Sequence, residues 1–241
     1  MQRPSPAFLQ IAPLVMALVV LVGVIYYLKT PAPSESVSQP TRKRHLPKPA
    51  PVLPAKDHPF DPYLVRLSAM EVAILPLALH WERPMGNETG ALTYDAQPFG
   101  TPNPDFGNKK HLAADLNGIG GWNSDEGDPV HAAADGRVIY AGEAGAGWGK
   151  MVILAHRIPS ESGKGTEVVQ SVYAHIKTIG VTVGAEVRCG QDIATVGTAN
   201  GHYFAHLHFE IRRGQTAIPD RGYAEGTLNR LDPIAFIESR K

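Results

Sequence analysis

Residues 137–174 read RVIYAGEAGAGWGKMVILAHRIPSESGKGTEVVQSVYA. Three β-type runs stand in this stretch: Arg137–Ala141, Lys150–Ala155 and Val168–Ala174. Each is rich in Val, Ile and Tyr and is bounded by glycine or serine turn signals, the pattern of short antiparallel strands. The glycine-rich segment Gly142–Gly149 between the first two lacks the Gly-Lys-Ser/Thr ending of a phosphate loop, so it reads as a turn. Further runs follow at Asp192–Val196 and Leu207–Arg212, with turn pairs at Asp135-Gly136, Ser162-Gly163 and Asn200-Gly201. No long stretch keeps a helical period and no repeat of fixed length appears. These features predict an all-β fold, an antiparallel β-sandwich or partly open barrel. The tail Leu231–Ile237 is expected to close it with a short helix. Upstream, the apolar segment Ala69–Leu79, interrupted by Pro76, predicts a buried strand or a short packed helix.

The first 60 residues read differently. Ile11–Leu28 carries no charge over 18 residues, about 27 Å as a helix, close to the thickness of a bilayer core. The sequence Tyr26-Tyr27-Leu28-Lys29 suits an interfacial end better than a small-x-small cleavage site, so an uncleaved transmembrane anchor over 1–29 is expected. A signal peptide removed on secretion is the alternative. Residues 30–60 hold eight prolines, from Pro31 to Pro59, and read as a semi-extended linker. Residues 61–94 then form a lead-in, and 95–241 the main domain.

The chain's 23 basic residues balance 23 acidic ones, and no basic stripe with aromatics appears, so nucleic acid is not an expected partner. The single cysteine, Cys189, excludes an internal disulfide and a multi-cysteine zinc site. Its neighbours read as a turn, with no base beside it.

Histidine carries the chemical signal. His206 and His208, two apart in a strand-like run, share one face, with Leu207 turned into the core. His111 and Asp115 add a nitrogen and a carboxylate four positions apart, in a segment that suits a loop better than a helix. A catalytic zinc takes three such protein ligands and leaves a position open. His111, Asp115 and one of His206 or His208 supply that set, and the other histidine of the pair and His175 remain. The thermolysin-type His-Glu-x-x-His helix is missing. His45, His58, His80, His131 and His202 fall outside these segments, His156 reads as a structural hydrogen-bonding residue, and Tyr173 as a packing residue.

Four pieces in this order, His111-Leu-Ala-Ala-Asp115, Gly127–Gly136, Tyr173-Ala-His175 and His206-Leu-His-Phe-Glu-Ile-Arg212, resemble the lysostaphin-like zinc peptidases of family M23, over about residues 95–212. Val187–Ile193 is similar to a further family turn. The resemblance implies that His111, Asp115 and His208 hold Zn2+ and that His206 and His175 are catalytic. It implies a zinc-activated water attacking peptide bonds of bacterial peptidoglycan, with the domain outside the cytoplasmic membrane. Ala113 stands where the family usually has glycine, which puts the backbone between two ligands in question. The family also suggests Asn103 or Asn108 as a group that could block the metal in a latent form. Two other readings stay open: an inactive relative that activates other cell-wall hydrolases, and a peptidase acting on an envelope protein. The bond cleaved and the oligomeric state are not legible in the sequence.

Overall fold

The computed structural model describes residues 66–86, 92–215 and 221–241. Among these no helix is long and apolar enough to cross a membrane. The expected anchor at 1–29 and linker at 30–60 lie outside the described residues, as do His45 and His58.

Among the described residues thirteen strands follow one another: β1 (Thr93–Gln97), β2 (Pro102–Asn103), β3 (Lys109–His111), β4 (Ala114–Gly118), β5 (Pro129–His131), β6 (Gly136–Glu143), β7 (Lys150–Pro159), β8 (Thr166–Ile179), β9 (Glu186–Val187), β10 (Asp192–Val196), β11 (Leu207–Arg213), β12 (Tyr223–Ala224) and β13 (Arg230–Leu231). All five strand runs expected from the sequence are present. The order β1-β4-β11-β8-β7-β6-β9 forms the spine of a ten-stranded antiparallel sheet, with β10 bridging β5 and β8, and β13 on β11. A separate three-stranded sheet runs β12-β3-β2. The expected all-β antiparallel class is observed, as one branched sheet with a small satellite.

Both faces of the central strands are covered. On β7, Val152 and Leu154 join one hydrophobic cluster, while Met151, Ile153 and Ala155 join the other. This is the alternation of a strand buried on both sides. The segment 66–86 serves both clusters: Leu67 and Leu75 belong to the second, Ala78, Trp81 and Met85 to the first. Its helix α1 (Ala69–Ala73) is capped by a reciprocal Ser68–Glu71 box. The helix itself buries no residue. The expected burial of 69–79 is thus mostly not observed: only Leu75 and Ala78 after the helix are buried, while Met70, Ile74, Leu77 and Leu79 are exposed, because the turn and Pro76 that follow the helix leave the segment on the surface. The closing helix α2 (Pro233–Glu238) starts at the Asp232 cap with Pro at its first position and buries Phe236 and Ile237.

The sheet explains two isolated histidine and tyrosine readings. His156 is fully buried, its Nδ1 donating to the Asp135 carbonyl at 2.8 Å and its Nε2 bonded to Ser171 Oγ at 2.7 Å. Burial pushes its pKa down to about 4, so it sits there neutral. Tyr173 is a core residue whose hydroxyl accepts from Ala133 N and is hydrogen-bonded to Ser171 Oγ.

Candidate metal and catalytic site

Strand register brings the first two groups together. β4 and β11 are neighbours, and His208 lies opposite Asp115. Side chains of directly opposed residues share a face, so His208 Nδ1 reaches Asp115 Oδ1 at 3.0 Å. His111 is the last residue of β3 in the small sheet. The buried pair Leu112-Ala113 then carries the chain across to β4. His111 Nε2 thereby stands 3.4 Å from Asp115 Oδ1 and 3.4 Å from His208 Nδ1. The His111–Asp115 segment is thus neither helix nor loop but a strand-to-strand crossing. Ala113 is fully buried and is not among the residues with positive φ, so nothing there requires glycine.

His175 arrives by a different device. Along β7 and β8 the register runs Lys150 to Ile176 and then Val152 to Tyr173, so β8 has one residue too many between the two pairs. This is a β-bulge, which bends a strand and re-aims a side chain. His175 sits in it with φ +64°, a left-handed conformation that is uncommon for any residue with a Cβ. Regular strand geometry would put Tyr173 and His175 on one face. The bulge instead sends Tyr173 into the core and His175 to the site. There its ring lies 4.7 Å from that of His206 and 5.3 Å from that of His208.

Gly197 supports the same arrangement. The His206 amide donates to the Gly197 carbonyl. A Cβ on Gly197 would stand 2.6 Å from both the His175 carbonyl and the Lys177 amide. Only glycine fits behind the bulge.

The histidine tautomers follow from the hydrogen bonds. A carbonyl oxygen only accepts, so a ring nitrogen bonded to it must carry the hydrogen. His111 Nδ1 donates to the Gln97 carbonyl at 2.8 Å, His175 Nδ1 to Trp148 at 3.1 Å, and His206 Nδ1 to Phe204 at 2.8 Å. In their neutral forms all three turn a lone pair at Nε2 to the site. His208 is inverted. Its Nε2 donates to Glu210 Oε1 at 3.1 Å and its Nδ1 faces Asp115 and His111. Glu210 is fully buried and also accepts from Arg212 Nε and Arg230 Nε.

The charges are tightly coupled. Burial alone would lower the His208 pKa, but the bonds to Asp115 and Glu210 outweigh it and lift the value to about 9. Burial also opposes ionisation of Asp115, yet His111 and His208 hold its carboxyl well below the usual range. Glu210 is held low in the same way, Arg212 and His208 overcoming its burial. Burial, then repulsion from His208 and His206, keeps His175 well below the ordinary imidazole value.

The donor atoms of His111, Asp115 and His208 all lie within 4.8 Å of one another. A divalent cation and the Nδ1 proton of His208 compete for one lone pair. Two imidazoles with preset tautomers and a carboxylate are a ligand set of the kind that takes zinc, and the Glu210–His208 pair has the form of a carboxylate orienting a ligand histidine. The cluster lies at the waist of a groove. Hollows of about 780 Å³ and 600 Å³ meet there, sharing Gln97, Asp115, Tyr203 and His206.

A model of peptidase family M23 matches residues 117–219, which include His175, His206 and His208. Lipoprotein NlpD of Yersinia enterocolitica is 40% identical over 96 residues, 39% of this chain and 89% of that protein. The chain belongs to peptidase family M23. Murein hydrolase activator NlpD of Escherichia coli is 40% identical over 97 residues, and murein hydrolase activator EnvC of the same organism 43% over 95. This M23 chain covers only 23% and 20% of the length of those two. Among solved structures, lysostaphin from Staphylococcus simulans aligns over 61% of this chain and 49% of its own, at 24% identity and a TM-score of 0.43.

The resemblance proposed from sequence is thus the family observed, and the structure brings all five named residues into one place. Several others at the site carried no sequence signal of their own. Glu210 lies inside the His206–Arg212 motif, which gives it no role of its own, and Trp148 lies in a stretch that reads as a turn. Its indole faces His208 edge-on, with ring centroids 5.2 Å apart. Asn103, a candidate blocking group, is engaged elsewhere: its Oδ1 accepts from Asp105 N at 2.9 Å and its Nδ2 donates to the Tyr223 hydroxyl at 3.2 Å.

Proposed function

We propose that this M23 protein is a zinc-dependent endopeptidase that hydrolyses peptide bonds of bacterial peptidoglycan. The observation that carries this reading is the convergence of His111, Asp115 and His208 beside two further histidines whose Nε2 lone pairs face the same groove. His111, Asp115 and His208 would hold the ion. When bound, zinc acidifies a water and polarises a carbonyl. In their neutral forms, with the hydrogen on Nδ1, His206 and His175 can take a proton at Nε2 and return it to a leaving amine. In this tautomer His175 donates a hydrogen bond to a developing oxyanion only after it has taken up a proton. Glu210 keeps Nε2 of His208 protonated and so turns Nδ1 towards the ion. Exposed Trp122 and Phe204, edge to face at 5.0 Å near the groove, offer an apolar rim to a peptide.

The test is digestion of purified peptidoglycan with metal content measured in parallel. His206→Ala is expected to retain zinc and lose turnover, whereas His208→Ala is expected to lose both. Full activity in metal-free His208→Ala protein would sink the reading. Mass analysis of the fragments then identifies the bond cleaved.

A second reading rests on the relatives named as murein hydrolase activators. In that case the chain would release no fragments alone, and wild type and His206→Ala would stimulate a second cell-wall hydrolase equally. Both readings put the domain in the cell envelope, and the uncharged run 11–28 supports a tether to the cytoplasmic membrane. Recovery of the full-length chain in carbonate-washed membranes would support the tether. An N-terminus beginning after residue 28 would replace it with a cleaved signal.

A further inference from the structure

A second group of metal-binding side chains lies outside the groove site. His80 and Glu82 belong to the segment 66–86, and Cys189 lies between β9 and β10. One donor atom from each, an imidazole nitrogen, a carboxylate oxygen and the thiol sulfur, lies within 4.8 Å of the other two. His80 Nε2 and Glu82 Oε1 are already 3.0 Å apart.

Both ligand-bearing segments hang on the same stretch of backbone. The Glu82 amide donates to the Ala133 carbonyl at 2.8 Å, and the Cys189 thiol donates to that same oxygen at 3.3 Å. The Cys189 amide donates to Asp135 Oδ1 at 2.8 Å, and the Gly190 amide to the Ala132 carbonyl at 2.9 Å. Glu82 and Cys189 are therefore fixed relative to each other, and the exposed His80 side chain has room to adjust. The half-buried thiol faces a field set by Glu82 and Asp135. Burial first, then these two carboxylates, push its pKa up to about 11. The two carboxylates, which add to that rise, also attract a cation.

We propose that His80, Glu82 and Cys189 form a second metal site, for a thiophilic divalent ion of the zinc class, that ties the segment 66–86 to the β9–β10 turn. Sulfur, nitrogen and oxygen donors together favour such an ion over calcium or magnesium, which prefer all-oxygen sets. On binding, the thiol gives its proton to solvent, sulfur and imidazole nitrogen each donate a lone pair to the ion, and solvent completes the coordination. This site does not depend on the peptidase reading.

Cobalt(II) distinguishes the two sites, because the groove cluster contains no sulfur and the chain has one cysteine. Titration of the metal-free full-length chain with cobalt is expected to bind two ions. It should also produce a thiolate-to-cobalt charge-transfer band in the near ultraviolet. Cys189→Ser should bind one ion, lose that band and keep the visible bands of the groove site. His80→Ala, a change at an exposed residue, should weaken the cobalt affinity read from the band by roughly tenfold or more. No near-ultraviolet band in the wild type at saturating cobalt would overturn the site. So would a band whose affinity is the same in His80→Ala, since sulfur would then bind cobalt without the cluster.

Discussion

His208 shows how much of the site depends on groups behind it. Its ring is held between Asp115 and Glu210, and Glu210 is in turn neutralised by Arg212 and Arg230, all of them buried. Glu210→Gln keeps the shape but removes the buried charge that Arg212, Arg230 and His208 all contact. Removing one partner of a buried charge pair costs about 3–5 kcal/mol, and loss of a group that orients a ligand histidine weakens metal binding about 10–100-fold. Urea unfolding of the metal-free protein and a zinc-chelator competition assay measure the two effects separately. A variant with wild-type stability and zinc affinity would show that Glu210 does neither job.

His156 gives a prediction on pH. Its folded pKa of about 4 lies below the ordinary value of 6.5 for an unfolded chain. Between those values the unfolded state binds the extra proton, so this contribution is complete above pH 6.5, declines as pH falls to about 4, and is constant below that. At about 1.4 kcal/mol per pH unit the upper bound is about 3 kcal/mol. His156→Gln should be less stable than the wild type at pH 7, and the gap should shrink towards pH 4.5 in denaturant titrations. A gap that stays constant with pH would remove the proton linkage.

At the scale of elements, the bulge in β8 is the decisive feature. It reverses the direction of His175 relative to Tyr173, and Gly197 leaves space for it. Gly197→Ala would force the 175–177 backbone to shift, at about 1–3 kcal/mol for overpacking. On the proposed peptidase reading the shift acts on His175 and His206 and not on His111, Asp115 and His208, so turnover should fall at least tenfold while zinc content stays near that of the wild type. This is read by mass spectrometry of the bound metal beside a peptidoglycan digestion assay. Loss of zinc with full turnover would contradict it.

For the molecule as a whole, the segment 66–86 is part of the core. Trp81 is fully buried, with its ring 4.7 Å from His156 and 4.9 Å from Phe236. Trp81→Ala is expected to destabilise the fold by about 3–5 kcal/mol, and a chain started at residue 92 should unfold at lower denaturant than one started at 66. Equal midpoints would mean that the segment merely lies on the surface.

The sequence by itself determined the strands and the residue types gathered at the candidate site. Alternation of side chains is a property of the local backbone, so the runs in 137–174 and the shared face of His206 and His208 were legible in short windows. The order of the histidine motifs was enough to identify the family. Only the tertiary structure decided which nitrogen of His111 and of His175 faces the groove, since the accepting carbonyls belong to Gln97 and Trp148. It alone decided that His111 meets His208 across 97 positions of sequence, and that His80 lies beside Cys189. The physical reason is that register, bulges and buried ion pairs are set by which strands become neighbours, and neighbours in a sheet are chosen by the packing of the whole chain.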